Sequence, residues 1–182
     1  MKNIFVFVLA IVATFAFAAI CPPTVCADGQ NDIVQHKQCK HCGMSRENFD
    51  YSRMLIEYSD GTVVPVCSLH CAATDLASNI DKSPKSIMVG DFSSKQLIDA
   101  EKATWVIGGK RPGVMSKKGK WAFENAEDAK TFLKTNEGTI ASFDEALKMA
   151  YSDMADDTKM IRERRQSKNM KMMEEPKGHD GH

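Results

Sequence analysis

Four cysteines in two short pairs constrain this chain more than any other feature. Cys39-Lys40-His41-Cys42-Gly43-Met44 places two residues between the first pair, Cys67-Ser68-Leu69-His70-Cys71 places three between the second, and 24 residues separate the pairs. Two intervening residues let both thiolates of the first pair reach one ion from a tight knuckle, with Gly43 permitting the turn. The second pair sets Cys67 just before a helix and Cys71 in its first turn, where unpaired N–H groups and the helix dipole favour a thiolate. If the fold brings the pairs together, they close a tetrahedral four-thiolate site suited to zinc or Cu(I). Two disulfides are the competing outcome outside the cytoplasm.

The N-terminus points to that compartment. Lys2 precedes an apolar run over 4–20, Pro22 and Pro23 break it, and Val25-Cys26-Ala27 offers small residues at the positions a signal peptidase reads. Residues 1–27 therefore read as a secretory signal, cleaved near Ala27, and the mature protein is expected in the periplasm. Left uncleaved, the run approaches spanning length and would anchor the chain in the membrane. Ile20 before Cys21 and Val25 before Cys26 are poor contexts for lipidation. Lys+Arg and Asp+Glu both number 24, so no basic field exists to hold a nucleic-acid backbone. A chain of 182 residues, 43% hydrophobic, supports one ordinary domain with a real core.

Residues 28–38 are polar and read as a flexible lead-in, and 39–155 hold the domain. Residues 53–58 (RMLIEY) and 62–66 (TVVPV) read as strands around an Asp60-Gly61 turn. Ser68 can cap a helix that buries Leu69, Ala72, Ala73, Leu76 and Ile80, and 86–89 form a short strand. Residues 93–96 have capping-box form and predict a short helix. The order then recurs: a strand over 103–107, a loop over 108–119, a strand over 120–123, an Asn125-capped helix stopped by Gly138, and a strand over 139–141. A second capping box, Ser142 to Glu145, opens a helix that runs to about Met173 on charge pairs after its apolar stripe fails near Asp156. The expected class is α/β (α+β): two successive β-β-α units in one small domain, with a long C-terminal helix. Residues 156–182 are its charged extension and a Met/His tail, where Met170, Met172, Met173, His179 and His182 offer weak ion capture or simply a solvated end.

A second sulfur pattern overlaps the first. Cys42 and Met44 set a thiolate and a thioether one residue apart, a soft pair that selects Cu(I) over zinc. Such a pair is coordinatively incomplete, and Met115, in a loop with Lys110, Arg111, Lys117, Lys118 and Lys120 but no acid, is the candidate third donor. That basic loop is either a solvated hairpin or a dock for an acidic partner. His41 and His70, each beside a cysteine, are further candidate ligands or outer supports. Phosphate loops, nucleophile elbows and His-Glu-x-x-His motifs are missing from the sequence, so no enzyme is expected.

Cys39 to Met44, followed by Ala103-Thr-Trp-Val-Ile-Gly108, Met115, Ala122-Phe123, Ala129, Phe132 and Gly138, resembles the NosL family of exported copper-binding accessory proteins of nitrous oxide reductase. The resemblance spans roughly residues 39–143. It implies two β-β-α motifs, and Cu(I) held by Cys42, Met44 and Met115. It also implies a copper-accepting exported enzyme or its assembly complex as partner, with membrane contact only transient or through an uncleaved N-terminal segment. Ser116 departs from the glycine usual after the methionine. Cys39, Cys67 and Cys71 are surplus to that site. They are left as a second metal site with zinc or copper, a Cys67–Cys71 or Cys39–Cys67 bridge, or a thiolate-rich version of the copper site.

Overall fold

A computed structural model describes residues 31–174; the expected signal segment and the last residues of the tail lie outside that range. The elements are α1 (Asn31–Gln35), β1 (Met54–Tyr58), β2 (Val63–Val66), α2 (Leu69–Ser78), β3 (Pro84–Gly90), β4 (Leu97–Asp99), β5 (Thr104–Pro112), β6 (Lys118–Phe123), α3 (Ala126–Asn136), β7 (Thr139–Ala141) and α4 (Phe143–Glu174). One sheet has the order β2-β1-β3-β4 and the other β6-β5-β7.

The two sheets repeat one pattern. In each, the first strand lies in the middle, with its hairpin partner on one side and the strand after the helix on the other, all antiparallel. The chain is thus two β-β-α-β units in series, and β4 is an addition to the first. A parallel bridge between Asp91 and Ala122 joins the units. Strand alternation explains the burial: Met54, Ile56 and Tyr58 face inward from β1 while Leu55 and Glu57 are partly exposed. Trp105, Val106, Trp121 and Phe123 fill the second half of the core. The long helix packs across both units, touching α2 and β5.

Four local expectations need correction. Residues 93–96 do not form a helix. The Asp91 carboxylate accepts the Ser93 and Ser94 N–H groups, Lys95 takes φ 65°, and the chain turns into β4. The lead-in is ordered from Asn31 onward, since α1 buries Ile33 and Asp32 binds two arginines. Ile80 falls beyond the end of α2 and is 90% exposed. The basic loop is also shorter than expected, because β5 runs on to Pro112 and β6 begins at Lys118.

Other boundaries follow their caps. Asn125 Oδ1 accepts the Glu127 N–H at 2.9 Å, and the Ser142–Glu145 box closes in both directions. Ser68 has the extended backbone of an N-cap, but its side chain makes no cap bond to α2.

Candidate metal centre

The knuckle forms because the backbone closes on itself. The Cys39 N–H donates to the Met44 carbonyl and the Gly43 N–H to the Cys39 carbonyl, each at 2.9 Å, with Gly43 at φ 75°. That left-handed turn favours a residue without Cβ. The Lys40 N–H donates to the Pro65 carbonyl, which docks the knuckle on β2, two residues before Cys67. On the other side, the Ser52 hydroxyl donates to the Cys67 carbonyl at 2.9 Å.

These contacts bring all four thiols together, with every Sγ within 4.8 Å of the others. Cys42 Sγ lies 3.5 Å from Cys67 Sγ, and Cys67 Sγ lies 3.8 Å from Cys71 Sγ. A disulfide needs about 2.05 Å, and all four cysteines are free. A metal–sulfur bond of about 2.3 Å sets the edge of a sulfur tetrahedron near 3.8 Å. The thiols are therefore spaced for one ion. Cys39, Cys67 and Cys71 are buried, while Cys42 is partly exposed and gives the cluster an open side.

Crowding separates the acidities of the four. S–H donation from Cys42, Cys67 and Cys71 holds the Cys39 thiol far below the ordinary range. Cys42 is pushed up by Cys39 but more than offset by Cys67 and Cys71, which bring it down to about 7. The same Cys39 interaction, with burial, pushes Cys67 and Cys71 well up. One thiolate is thus stabilised by its neighbours and further negative charge is resisted. A bound cation removes that conflict.

Neither histidine joins the thiols. His41 Nε2 lies 2.7 Å from Asp75 Oδ2, and Tyr58 donates to Asp75 Oδ1 at 2.6 Å. The buried Asp75 on α2 thereby holds the middle of the knuckle. His70 is buried, its ring is pushed toward the neutral form by that burial, and its Nδ1 lies 3.5 Å from Asp157 Oδ2. Spacing pointed to the histidines; the acids that face them, Asp75 and Asp157, come from distant elements and carried no local signal.

Met44 and Met115 are both half-buried against the core. Met115 sits in the β5–β6 turn at φ 60°, an unusual conformation for a side chain of that size. Its neighbours Val114 and Ser116 share the lining of a small cavity, about 10 Å³, with Ser68, Leu69 and His70. The Met115 turn therefore abuts the first turn of α2, between Cys67 and Cys71.

The basic loop finds its acids within the chain. Lys118 and Lys120 both bind Asp153 at 3.0 Å, and Lys110 binds Glu137 at 2.8 Å. The Arg111 guanidinium lies 5.0, 5.3 and 5.7 Å from the ring centres of Tyr51, Phe92 and Trp121. Lys110 and Lys118 nevertheless stay more than half exposed at 67% and 54%.

Fold and site together define a small duplicated α/β domain with a four-thiol pocket able to hold a soft metal ion. The family model of NosL matches residues 30–151, about two-thirds of the sequence, and the chain belongs to the NosL family. Among solved structures, the chain is similar to the copper chaperone NosL from Shewanella denitrificans. The TM-score is 0.51 at 24% identity, over 59% of this chain and 87% of that one. At that identity the likeness shows a shared fold. No curated protein matches the chain by sequence. Among the described residues, no helix is long and apolar enough to cross a membrane.

Proposed function

We propose that this protein is a non-enzymatic Cu(I) chaperone, exported to the periplasm after cleavage near Ala27. It passes its ion by ligand exchange to a copper-accepting exported enzyme or its assembly complex, and family membership points to nitrous oxide reductase maturation. The observation that carries the reading is the unbridged cluster of Cys39, Cys42, Cys67 and Cys71, with all sulfurs within 4.8 Å. Thiolates are the preferred ligands of Cu(I), and thioethers add affinity for it without adding charge.

Cys42 is the exchange ligand in this account. Among the described residues it is the one cysteine with solvent access, and a single residue separates it from Met44. Met44 and Met115 supply the soft neutral donors through which Cu(I) enters and leaves, and Cys39, Cys67 and Cys71 form the deeper wall. An ion with a partly open shell transfers readily, because an incoming donor binds before an old one departs.

The sulfur spacing itself favours a second reading. Separations of 3.5 and 3.8 Å also suit a closed zinc site, in which case the metal is structural and stays put. The readings separate on Cys42→Ser. The chaperone account expects loss of Cu(I) binding, measured against a chromogenic Cu(I) chelator, with an unchanged circular dichroism spectrum. Unchanged Cu(I) affinity would remove Cys42 from the site, and unfolding of the variant together with loss of zinc would favour the structural reading.

A further inference from the structure

The Met115 turn is fastened by two carboxylates on α4. Asp157 Oδ1 accepts the Lys117 N–H at 2.9 Å, and its Oδ2 faces His70 Nδ1 at 3.5 Å. One helical turn earlier, Asp153 binds Lys118 Nζ through Oδ1 and Lys120 Nζ through Oδ2, each at 3.0 Å. Lys120 in turn donates to the Ser116 hydroxyl at 3.1 Å. Asp157, Lys120 and Ser116 are all buried. The two acids therefore grip the segment that follows Met115, while Asp157 also reaches the helix that carries Cys71.

A surface hairpin would not need such anchoring. Buried ionised groups are costly unless paired, and a methionine at φ 60° persists only where its surroundings enforce it. Here both costs fall at one place, between a thioether and the first turn of the thiol-bearing helix.

We infer that Asp153 and Asp157 form a carboxylate clasp that positions Met115 against the thiol cluster as a Cu(I) donor. The clasp is a positioning device and neither acid touches the metal. It rests on the reading above that Met115 is a donor. Asp157 holds the Met115 turn through the Lys117 amide, and its other oxygen, buried without a hydrogen bond among the described residues, faces His70 Nδ1 on α2 at 3.5 Å. Asp153 sets the height of the turn through two lysines.

The test is a double-mutant cycle on the full chain, with Cu(I) affinity read by chelator competition and the Met115 methyl followed by NMR of [methyl-13C]methionine protein. Asp153→Asn and Asp157→Asn should each weaken Cu(I) binding about tenfold, as loss of an outer-shell partner does. They should also shrink the Cu(I)-induced shift of the Met115 methyl. In a Met115→Ala background the same substitutions should change affinity by less than about twofold, because the residue they position is gone. Equal losses in both backgrounds would overturn the clasp, reducing the acids to general stabilisers. Weakening by Met115→Ala with none from Asp153→Asn or Asp157→Asn would also overturn it, while leaving Met115 a donor. No effect of Met115→Ala would remove the donor assignment and the clasp with it. Should Asp157→Asn fail to fold, Asp153→Asn, whose acid is partly exposed, decides alone.

Discussion

Replacing Asp32 by Asn should destabilise the domain more than any surface change of the same size. Asp32 Oδ2 accepts from Arg46 Nη2 at 2.6 Å, and both its oxygens accept from Arg53, with Nη2 to Oδ1 at 2.8 Å and Nε to Oδ2 at 2.9 Å. Both arginine side chains are fully buried. Removing the shared carboxylate takes from both buried arginines a counter-charge they hold in common, and breaking a buried pair costs about 3–5 kcal/mol. Arg46 keeps the carbonyls of His36, Met54 and Val66, and Arg53 keeps those of Asp50 and Lys95. The lower figure therefore applies, about 3 kcal/mol, or roughly 6–12 °C in Tm for a domain of this size.

The pH dependence has a defined sign. Burial works against the Asp32 charge, but the hydrogen bond and charge of Arg53, and then of Arg46, outweigh it and hold the carboxyl below its ordinary value. A group depressed in the folded state contributes its stability above the unfolded pKa, about 3.9, and loses it as pH falls through the folded value. Thermal unfolding of wild type and Asp32→Asn, followed by circular dichroism, should show the full gap at pH 7 and a closing gap below pH about 4. A gap under about 1 kcal/mol at pH 7, the size of an exposed pair, would refute the reasoning.

Asp75→Asn should loosen the knuckle, because it weakens acceptors for both His41 and Tyr58. The expected cost is about 1–3 kcal/mol in chemical denaturation, with faster Cu(I) release to a chelator. Gly90→Ala should prevent stable folding, since a Cβ there would collide with the Asp50 backbone carbonyl; a soluble variant with wild-type Tm would contradict that packing. Mild oxidation should join cluster thiols, Cys42 with Cys67 first because they lie 3.5 Å apart. Metal binding should vanish and return with reductant, as checked by thiol counting and mass spectrometry. Asn125→Ala should cost about 1 kcal/mol, because the N-cap bond to Glu127 is lost.

What the sequence disclosed is what short-range chemistry encodes. Strand alternation over 53–58, the Asn125 cap and the Ser142–Glu145 box each act within a few residues, and each is found where the pattern placed it. The Cys-x2-Cys and Cys-x3-Cys spacings showed that each pair can face one ion, but whether the pairs meet depended on a hydrogen bond across 25 residues of chain, from the Lys40 N–H to the Pro65 carbonyl. The rest depends on distance along the chain. Asp32 looked like part of a loose polar lead-in because its partners lie 14 and 21 residues away. Lys117, Lys118 and Lys120 looked unpaired because Asp153 and Asp157 are 33–40 residues further on. At Ser93 a capping box was misleading for a physical reason: the Asp91 carboxylate takes the Ser93 and Ser94 amides first and makes a turn instead.

The central claim is that the four-thiol cluster holds Cu(I) as cargo. Its most direct test is elemental analysis with thiol counting on the protein, purified anaerobically from the periplasm of copper-supplemented cells. The account predicts about one copper per chain, lost in Cys42→Ser and reduced in Met115→Ala. Stoichiometric zinc with four protected thiols, or no metal and no free thiols, would contradict it.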